Sequence, residues 1–142
     1  MAARFDRDGI GLSYPESWKL EFEDSDTGWT ISLQSPDTAF LLVSHYEDMP
    51  DLEQVAQTTL EAMQAEYADL ESEEIFETVA GQPAVGHDIR FFALDLTNSC
   101  WVRSFYGAYG TVLVMWQATD MEMDKNGPVL DAICASLTVE ED

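Results

Sequence analysis

Apolar residues change their spacing about a third of the way along this chain, and that change constrains its fold more than any other feature. Over 18–22 and again over 29–33 they occupy alternate positions, a period of two that is typical of half-buried β-strands. Over 52–70 they recur every third or fourth residue, which is the spacing of one face of an amphipathic helix. The sequence therefore predicts strands first and a helix after them.

The remaining segments repeat this order. Further strands are predicted over 10–14, 39–46, 75–79, 85–94, 101–106 and 109–118, and a last helix over 128–137. Strands, a helix, more strands and a final helix predict an α+β fold in which an antiparallel β-sheet is flanked by α-helices. At 142 residues the chain is expected to form a single domain, 1–142, with a frayed acidic tail over 138–142.

The charge is strongly one-sided. Asp and Glu number 28 against 6 Lys and Arg, a formal net charge of −22, and the stretch between Leu20 and Ile89 contains no Lys or Arg at all. A chain this acidic repels phosphate backbones and anionic lipids, so neither a nucleic acid nor a membrane is expected as a partner. Adaptation to a salty cytoplasm, a basic partner, and mimicry of a nucleic acid are the explanations left open.

The two cysteines, Cys100 and Cys134, are too few for a disulfide framework. They are expected to be free thiols in a reducing compartment. The first eight residues lack the apolar segment of a signal peptide. A cytoplasmic location is the resulting expectation.

Residues that carry chemistry are sparse. His45 and His87 each alternate with apolar residues, which favours packed, hydrogen-bonded histidines over metal ligands. The sequence has no Gly-x-Ser-x-Gly motif, and its carboxylates are too abundant to single out an acid–base pair. No catalytic residue, metal or cofactor is therefore predicted. A small enzyme that uses a carboxylate and one histidine remains an alternative.

The stretch 111–118 is strongly apolar, with Val112, Val114 and Trp116 on one face of the predicted strand. A central strand covered by helices explains this pattern. Alternatively, one sheet face stays partly open and binds an apolar segment of a partner protein, with Trp101 and Phe105 of the neighbouring strand enlarging the surface. These five residues are the candidate partner-binding site. Arg90 and Arg103, in the same half of the chain, are expected to form structural ion pairs.

The first predicted strand begins Gly-Ile-Gly-Leu-Ser-Tyr-Pro-Glu-Ser-Trp over 9–18, and Gly81-Gln-Pro-Ala precedes a later strand. With the final Ile133-Cys-Ala-Ser-Leu, this pattern resembles PsbP-like domains, including DcrB-like proteins and the Eag-type adaptors of type VI secretion. The resemblance implies an antiparallel sheet flanked by helices and binding to other proteins instead of catalysis. The absence of an export segment or lipobox cysteine favours the cytosolic adaptor-like branch.

An adaptor or chaperone is therefore the predicted function, and a decoy that mimics nucleic acid is a further alternative beside the small enzyme. Homodimer formation stays open at this stage. Trp18, at the end of the opening pattern, is expected to pack into the core against the long C-terminal strands.

Overall fold

The computed structural model describes residues 2–140, which form ten strands and two helices. The elements are β1 (Ala2–Arg7), β2 (Ile10–Pro15), β3 (Lys19–Ser25), β4 (Gly28–Gln34), β5 (Phe40–Tyr46), α1 (Leu52–Glu66), β6 (Glu71–Val79), β7 (Gln82–Ala93), β8 (Leu96–Gly107), β9 (Gly110–Thr119), α2 (Met123–Ala135) and β10 (Thr138–Val139). Long strands and two amphipathic helices follow the order that the apolar spacing predicts. The predicted α+β class, an antiparallel sheet flanked by helices, is confirmed.

Seven strands form the main sheet in the order β3-β4-β5-β9-β8-β7-β6, and each neighbouring pair is antiparallel. The strands β1, β2 and β10 form a small second sheet. Because successive side chains of a strand point to opposite faces, the sheet divides its apolar residues between two cores.

The two faces of the main sheet are covered over different halves. Helix α1 packs on β7, β8 and β9, and its Leu60 joins Ile89 and Val102 in the core on that face. On the other face, α2 packs mainly on β9 and β2, and its Leu130 and Ile133 join the core beneath the small sheet. The α2 side of β6 and β7 is left without a helix, and their side chains there are mostly exposed.

The chain ends depart from the predictions. Strand β1 was not predicted, because it contains a single large apolar residue, Phe5, which lies opposite Leu12 of β2. The expected frayed tail is wrong for Thr138 and Val139, which pair with Gly11 and Ile10 of β2. The edge of β2 is free at that point, so two residues suffice to form a short strand. The last two residues of the predicted tail lie outside the described part of the chain.

Both helices differ from their predicted bounds. Helix α1 ends at Glu66, although Leu70 continues its apolar spacing, because Tyr67 leaves the helical conformation and Leu70 packs against the same core from the following turn. Helix α2 begins at Met123, five residues before the predicted start, and it accommodates Pro128 within its first two turns. Pro128 is the sixth residue of the helix, so its missing N–H removes the bond that would go to the Asp124 carbonyl.

Candidate protein-binding surface

The five residues predicted to bind a partner lie side by side on the α2 face of the sheet. Trp101 and Phe105 belong to β8, and Val112, Val114 and Trp116 belong to β9. Phe105, Val112 and Val114 are fully buried beneath α2 and the small sheet. These three cannot meet a partner in this fold, and for them the covered central strand is the right interpretation.

Trp101 and Trp116 are different, because each is only partly buried. They lie opposite each other on β8 and β9, and their rings stack at 6.4 Å between centroids and 10° between planes. The pair lies at the boundary between the helix-covered and the bare part of this face. It is the portion of the predicted site that solvent reaches.

The side chain of Arg103 links the tryptophan pair to the neighbouring strands β6 and β7. Its side chain is 4% exposed, and its guanidinium lies 4.5 Å from the centre of the Trp101 ring. It donates hydrogen bonds to the carboxylate of Glu77 and, at 2.9 Å, to that of Asp88. The backbone oxygen of Val102 accepts a further bond at 2.9 Å. The predicted ion pairing of Arg103 is confirmed, and so is that of Arg90, which pairs with Asp120 at 3.4 Å.

The strand register places two carboxylates in line with the tryptophans. Glu73 lies opposite Asp88, Asp88 opposite Trp101, and Trp101 opposite Trp116, one residue from each of four neighbouring strands. With strands about 4.8 Å apart, this row spans roughly 14 Å. We call the bare surface around it the open face. It comprises Glu71, Glu73, Glu77, Asp88, Arg90, Phe92, Trp101 and Trp116.

The cations of the chain are already engaged. Each of its 6 Lys and Arg residues forms an ion pair with at least one carboxylate. Most of these pairs are exposed and contribute little to stability. The other carboxylates of this chain, whose net charge is −22, therefore have no Lys or Arg of their own left to neutralise them.

Salt should therefore stabilise the fold. We expect the melting temperature to rise by roughly 5 °C between about 10 and 300 mM NaCl, because screening weakens the repulsion among carboxylates. Circular dichroism at a series of NaCl concentrations measures the effect. A melting temperature that stays constant over this range would contradict it.

His45 is the least satisfied polar group in the described part of the chain. Its side chain is 1% exposed, stacks on Trp29 at 5.4 Å between ring centroids, and has no hydrogen-bond partner at either ring nitrogen among residues 2–140. The expectation of a packed histidine is confirmed, and the expectation of a hydrogen-bonded one is wrong. Burial lowers the pKa of His45, against the opposite influence of the Asp8 and Glu47 carboxylates.

Acid should destabilise the protein through His45. Below the ordinary histidine pKa of about 6.5 the unfolded chain binds a proton that the folded chain resists, so stability falls as the pH falls. We expect wild type to lose more stability than His45→Phe, by up to about 1.4 kcal/mol per pH unit below that value. Urea denaturation of both proteins near pH 7.5 and 5.5 measures the difference. Equal losses would mean that His45 is protonated without cost in the fold.

His87 does not share a site with His45. It is also buried, and burial likewise lowers its pKa. It lies opposite Val102 of the α1 core, whereas His45 lies opposite Val112 of the α2 core, so the two histidines occupy opposite faces of the sheet. This placement prevents them from acting together on one substrate.

The cysteines are poor nucleophiles. Cys100 and Cys134 are free, and burial raises the pKa of each thiol to about 12. Thiolate is the reactive form, so both are almost entirely protonated near neutral pH. Within residues 2–140, no three His, Cys, Asp or Glu side chains come together to hold a metal ion. Neither of the two described helices has the length and apolarity needed to cross a membrane.

Glu122 is a structurally important residue that the sequence did not reveal. Its carboxylate accepts bonds from the backbone N–H groups of Thr38, Ala39 and Thr119 at 2.8, 3.0 and 3.2 Å, and from both threonine hydroxyls. Burial alone would raise its pKa, but these bonds outweigh burial and lower the pKa to about 2. No local pattern could show this, since Thr38 is 84 residues away along the chain.

The arrangement of strands and helices has counterparts among solved structures. The cyanobacterial PsbP protein (CyanoP) of Synechocystis sp. PCC 6803 matches with a TM-score of 0.61 and 14% identity over 98% of this chain and 92% of its own. The fold is PsbP-like. LpqN, a protein involved in cell envelope biogenesis of Mycobacterium tuberculosis, matches with a TM-score of 0.54 and 13% identity over 99% and 86%.

A protein from Bacteroides thetaiotaomicron VPI-5482 matches with a TM-score of 0.63 and 10% identity over 98% of this chain, which spans 48% of that longer protein. No family model and no curated protein matches the sequence. At these identities the similarity establishes the fold alone, so the function has to be argued from this chain's own surface.

Proposed function

We propose that this chain is a non-enzymatic, cytoplasmic protein-binding domain that acts as an adaptor or chaperone. In this proposal the open face holds an apolar segment of another protein, without a cofactor. The observation that carries the proposal is the stacked pair of Trp101 and Trp116, which stays partly exposed at the margin of a sheet face that no helix covers.

Tryptophans at such a margin are suited to binding. Aromatic residues are enriched among those that dominate the energy of protein interfaces, since they bury a large area with few rotatable bonds. The Trp101 side chain is already held by its contacts with Arg103 and Trp116. Such pre-organisation reduces the entropy that a partner must lose on binding.

The open face also continues beyond the tryptophan pair. Phe92 of β7 lies on the same side of the sheet and is 69% exposed, which is unusual for a side chain of its size. Because the four strands from β6 to β9 lie side by side around Asp88 and the tryptophan pair, the surface is broad and shallow. A shallow sheet surface with separated apolar anchors suits an extended segment better than a compact small molecule.

The test is a selection of displayed random peptides of about twelve residues, roughly 40 Å when extended, on the immobilised protein. Synthetic copies of the enriched peptides are then titrated against purified variants. We expect Trp116→Ala to weaken binding by about tenfold or more, the loss typical of an interface anchor. Phe76→Ala is the matched control, because Phe76 is 68% exposed on the opposite side of β6.

Two results would contradict the proposal. One is binding that Trp116→Ala and Phe76→Ala affect equally while both variants stay folded by circular dichroism. The other is a failure of the protein to enrich peptides above an unrelated acidic protein. Phe105→Ala serves as the opposite control, since Phe105 is 0% exposed and its replacement should unfold the domain instead of weakening binding.

A further inference from the structure

We infer that the segment bound on the open face is cationic, carrying Lys or Arg next to its apolar anchor residues. This inference rests on the proposed function and names the chemistry of its partner. Its basis is the row from β6 to β9, in which Glu73 and Asp88 continue the line of Trp101 and Trp116. A segment lying along this row would meet carboxylates and aromatic rings in succession.

The open face has more negative charge than its own cations neutralise. Four carboxylates line it, those of Glu71, Glu73, Glu77 and Asp88. Arg103 pairs with the last two, and Arg90 pairs with Asp120. Within the described part of the chain, Glu71 and Glu73 have no ion pair. Since each Lys and Arg of the chain already has a carboxylate partner, added cations must come from another molecule.

Arg103 shows that this environment accommodates a cation. Its guanidinium lies against the Trp101 ring and donates to two carboxylates from neighbouring strands. Both interactions are favourable for arginine, whose planar group combines ring contact with hydrogen bonding to carboxylates. A partner's Lys or Arg beside Trp101 would lie one strand from Asp88 and two strands from Glu73 along the row.

The carboxylates of the open face would contribute chiefly to the selectivity and the rate of binding. Exposed ion pairs add little affinity each, whereas complementary potentials accelerate encounter and exclude partners of the wrong sign. The tryptophans would supply most of the affinity. Acidic partner segments would be rejected, and neutral apolar segments would bind more slowly.

A different explanation assigns the glutamates of β6 to edge protection. Strand β6 is an edge of the main sheet, and charged residues on such strands prevent unwanted pairing with other chains. This role needs no partner, and it applies equally to β3, the other edge, where Glu21 and Glu23 occupy alternate positions like Glu71 and Glu73. The two pairs are matched in spacing and formal charge. They differ in that Glu21 forms an exposed ion pair with Lys19, and in that the β3 pair lies far from the tryptophans, on the opposite face of the sheet.

The experiment compares peptide selections on wild type, Glu71→Gln/Glu73→Gln and Glu21→Gln/Glu23→Gln in physiological salt. We expect peptides enriched on wild type and on the β3 variant to be rich in Lys and Arg, and those from the β6 variant to be less so. For the best peptide, the β6 variant should bind about fivefold more weakly, and the β3 variant should bind like wild type. Replacing the Lys and Arg residues of that peptide by Gln should weaken its binding to wild type by a similar factor.

The other possible outcomes contradict either the inference alone or both the inference and the proposed function. Equal weakening by both double variants would mean that cations are attracted by net charge alone, which overturns the inference. Neutral or acidic peptides whose binding depends on Trp116 would overturn the inference and leave the proposed function standing. Cationic peptides that bind Trp116→Ala as tightly as wild type, or no enriched peptides at all, would overturn both.

Discussion

Replacing Trp18 with alanine should lower the free energy of unfolding by about 3 to 5 kcal/mol. Trp18 is 4% exposed and belongs to the core between the main sheet and α2. Its backbone N–H donates to the Pro15 oxygen at 3.0 Å, so the turn between β2 and β3 fixes the position of the side chain. Truncation would remove a large buried ring and leave a cavity that a sheet-bound core cannot fill.

Chemical denaturation measures this loss directly. Trp116→Ala provides the comparison, because Trp116 is partly exposed and its truncation should cost clearly less. A Trp18→Ala variant with the denaturation midpoint of wild type would place the side chain outside the core. That result would also put the path of the chain from β2 into β3 in doubt.

Alternation predicted the strands well wherever one face of a strand is buried over its whole length. In β4, Trp29, Ile31 and Leu33 all enter one core while the residues between them do not, so the period of two is visible in the sequence. In β1 only Phe5 reaches this core, and β10 contains only two residues. Both strands exist because β2 offers them a partner. For β10 that partner is distant in sequence and leaves no local pattern, whereas β1 joins β2 through the two-residue turn Asp8-Gly9, whose Asp-Gly pair is a local signal for a hairpin.

The candidate site was predicted only in part for a related reason. The sequence correctly places Val112, Val114 and Trp116 on one face of β9, because alternation determines the face. It cannot show which section of that face α2 covers. The course of the chain after β9 sets that boundary, which buries the two valines and leaves the tryptophan partly exposed.

The sequence could not show the row of carboxylates and tryptophans either. Glu73, Asp88, Trp101 and Trp116 become neighbours through the register of three strand pairs, and a shift of one residue in any pair would place them on opposite faces. Local patterns in a sequence, such as periods and turns, contain no information about the register between distant strands. The site is therefore a property of the sheet, and the residues that fix its register are as important to it as the residues that line it.

Gly86 is such a residue, and Gly86→Ala should cost about 3 kcal/mol or more. It lies in β7 between Ile75 of β6 and Arg103 of β8. A Cβ atom there would collide with the backbone carbonyl of Val102 and come within 3.0 Å of the Arg103 Cα, atoms that cannot move without parting the two strands. The cost is steric, because the added methyl group would meet backbone atoms and not the end of a flexible side chain.

Gly81→Ala separates this effect from backbone strain. Gly81 has a φ of +81° and nothing within 4 Å of an added Cβ, so alanine there should cost only about 1 to 2 kcal/mol through its left-handed conformation. Denaturation of both variants compares the two costs, and tryptophan fluorescence reports on the pair beside Arg103.

Because β7 carries Asp88 and β8 carries Trp101, parting these strands at Gly86 should also weaken peptide binding to the open face. A Gly86→Ala variant as stable as Gly81→Ala would mean that β7 and β8 do not approach as closely as the register requires.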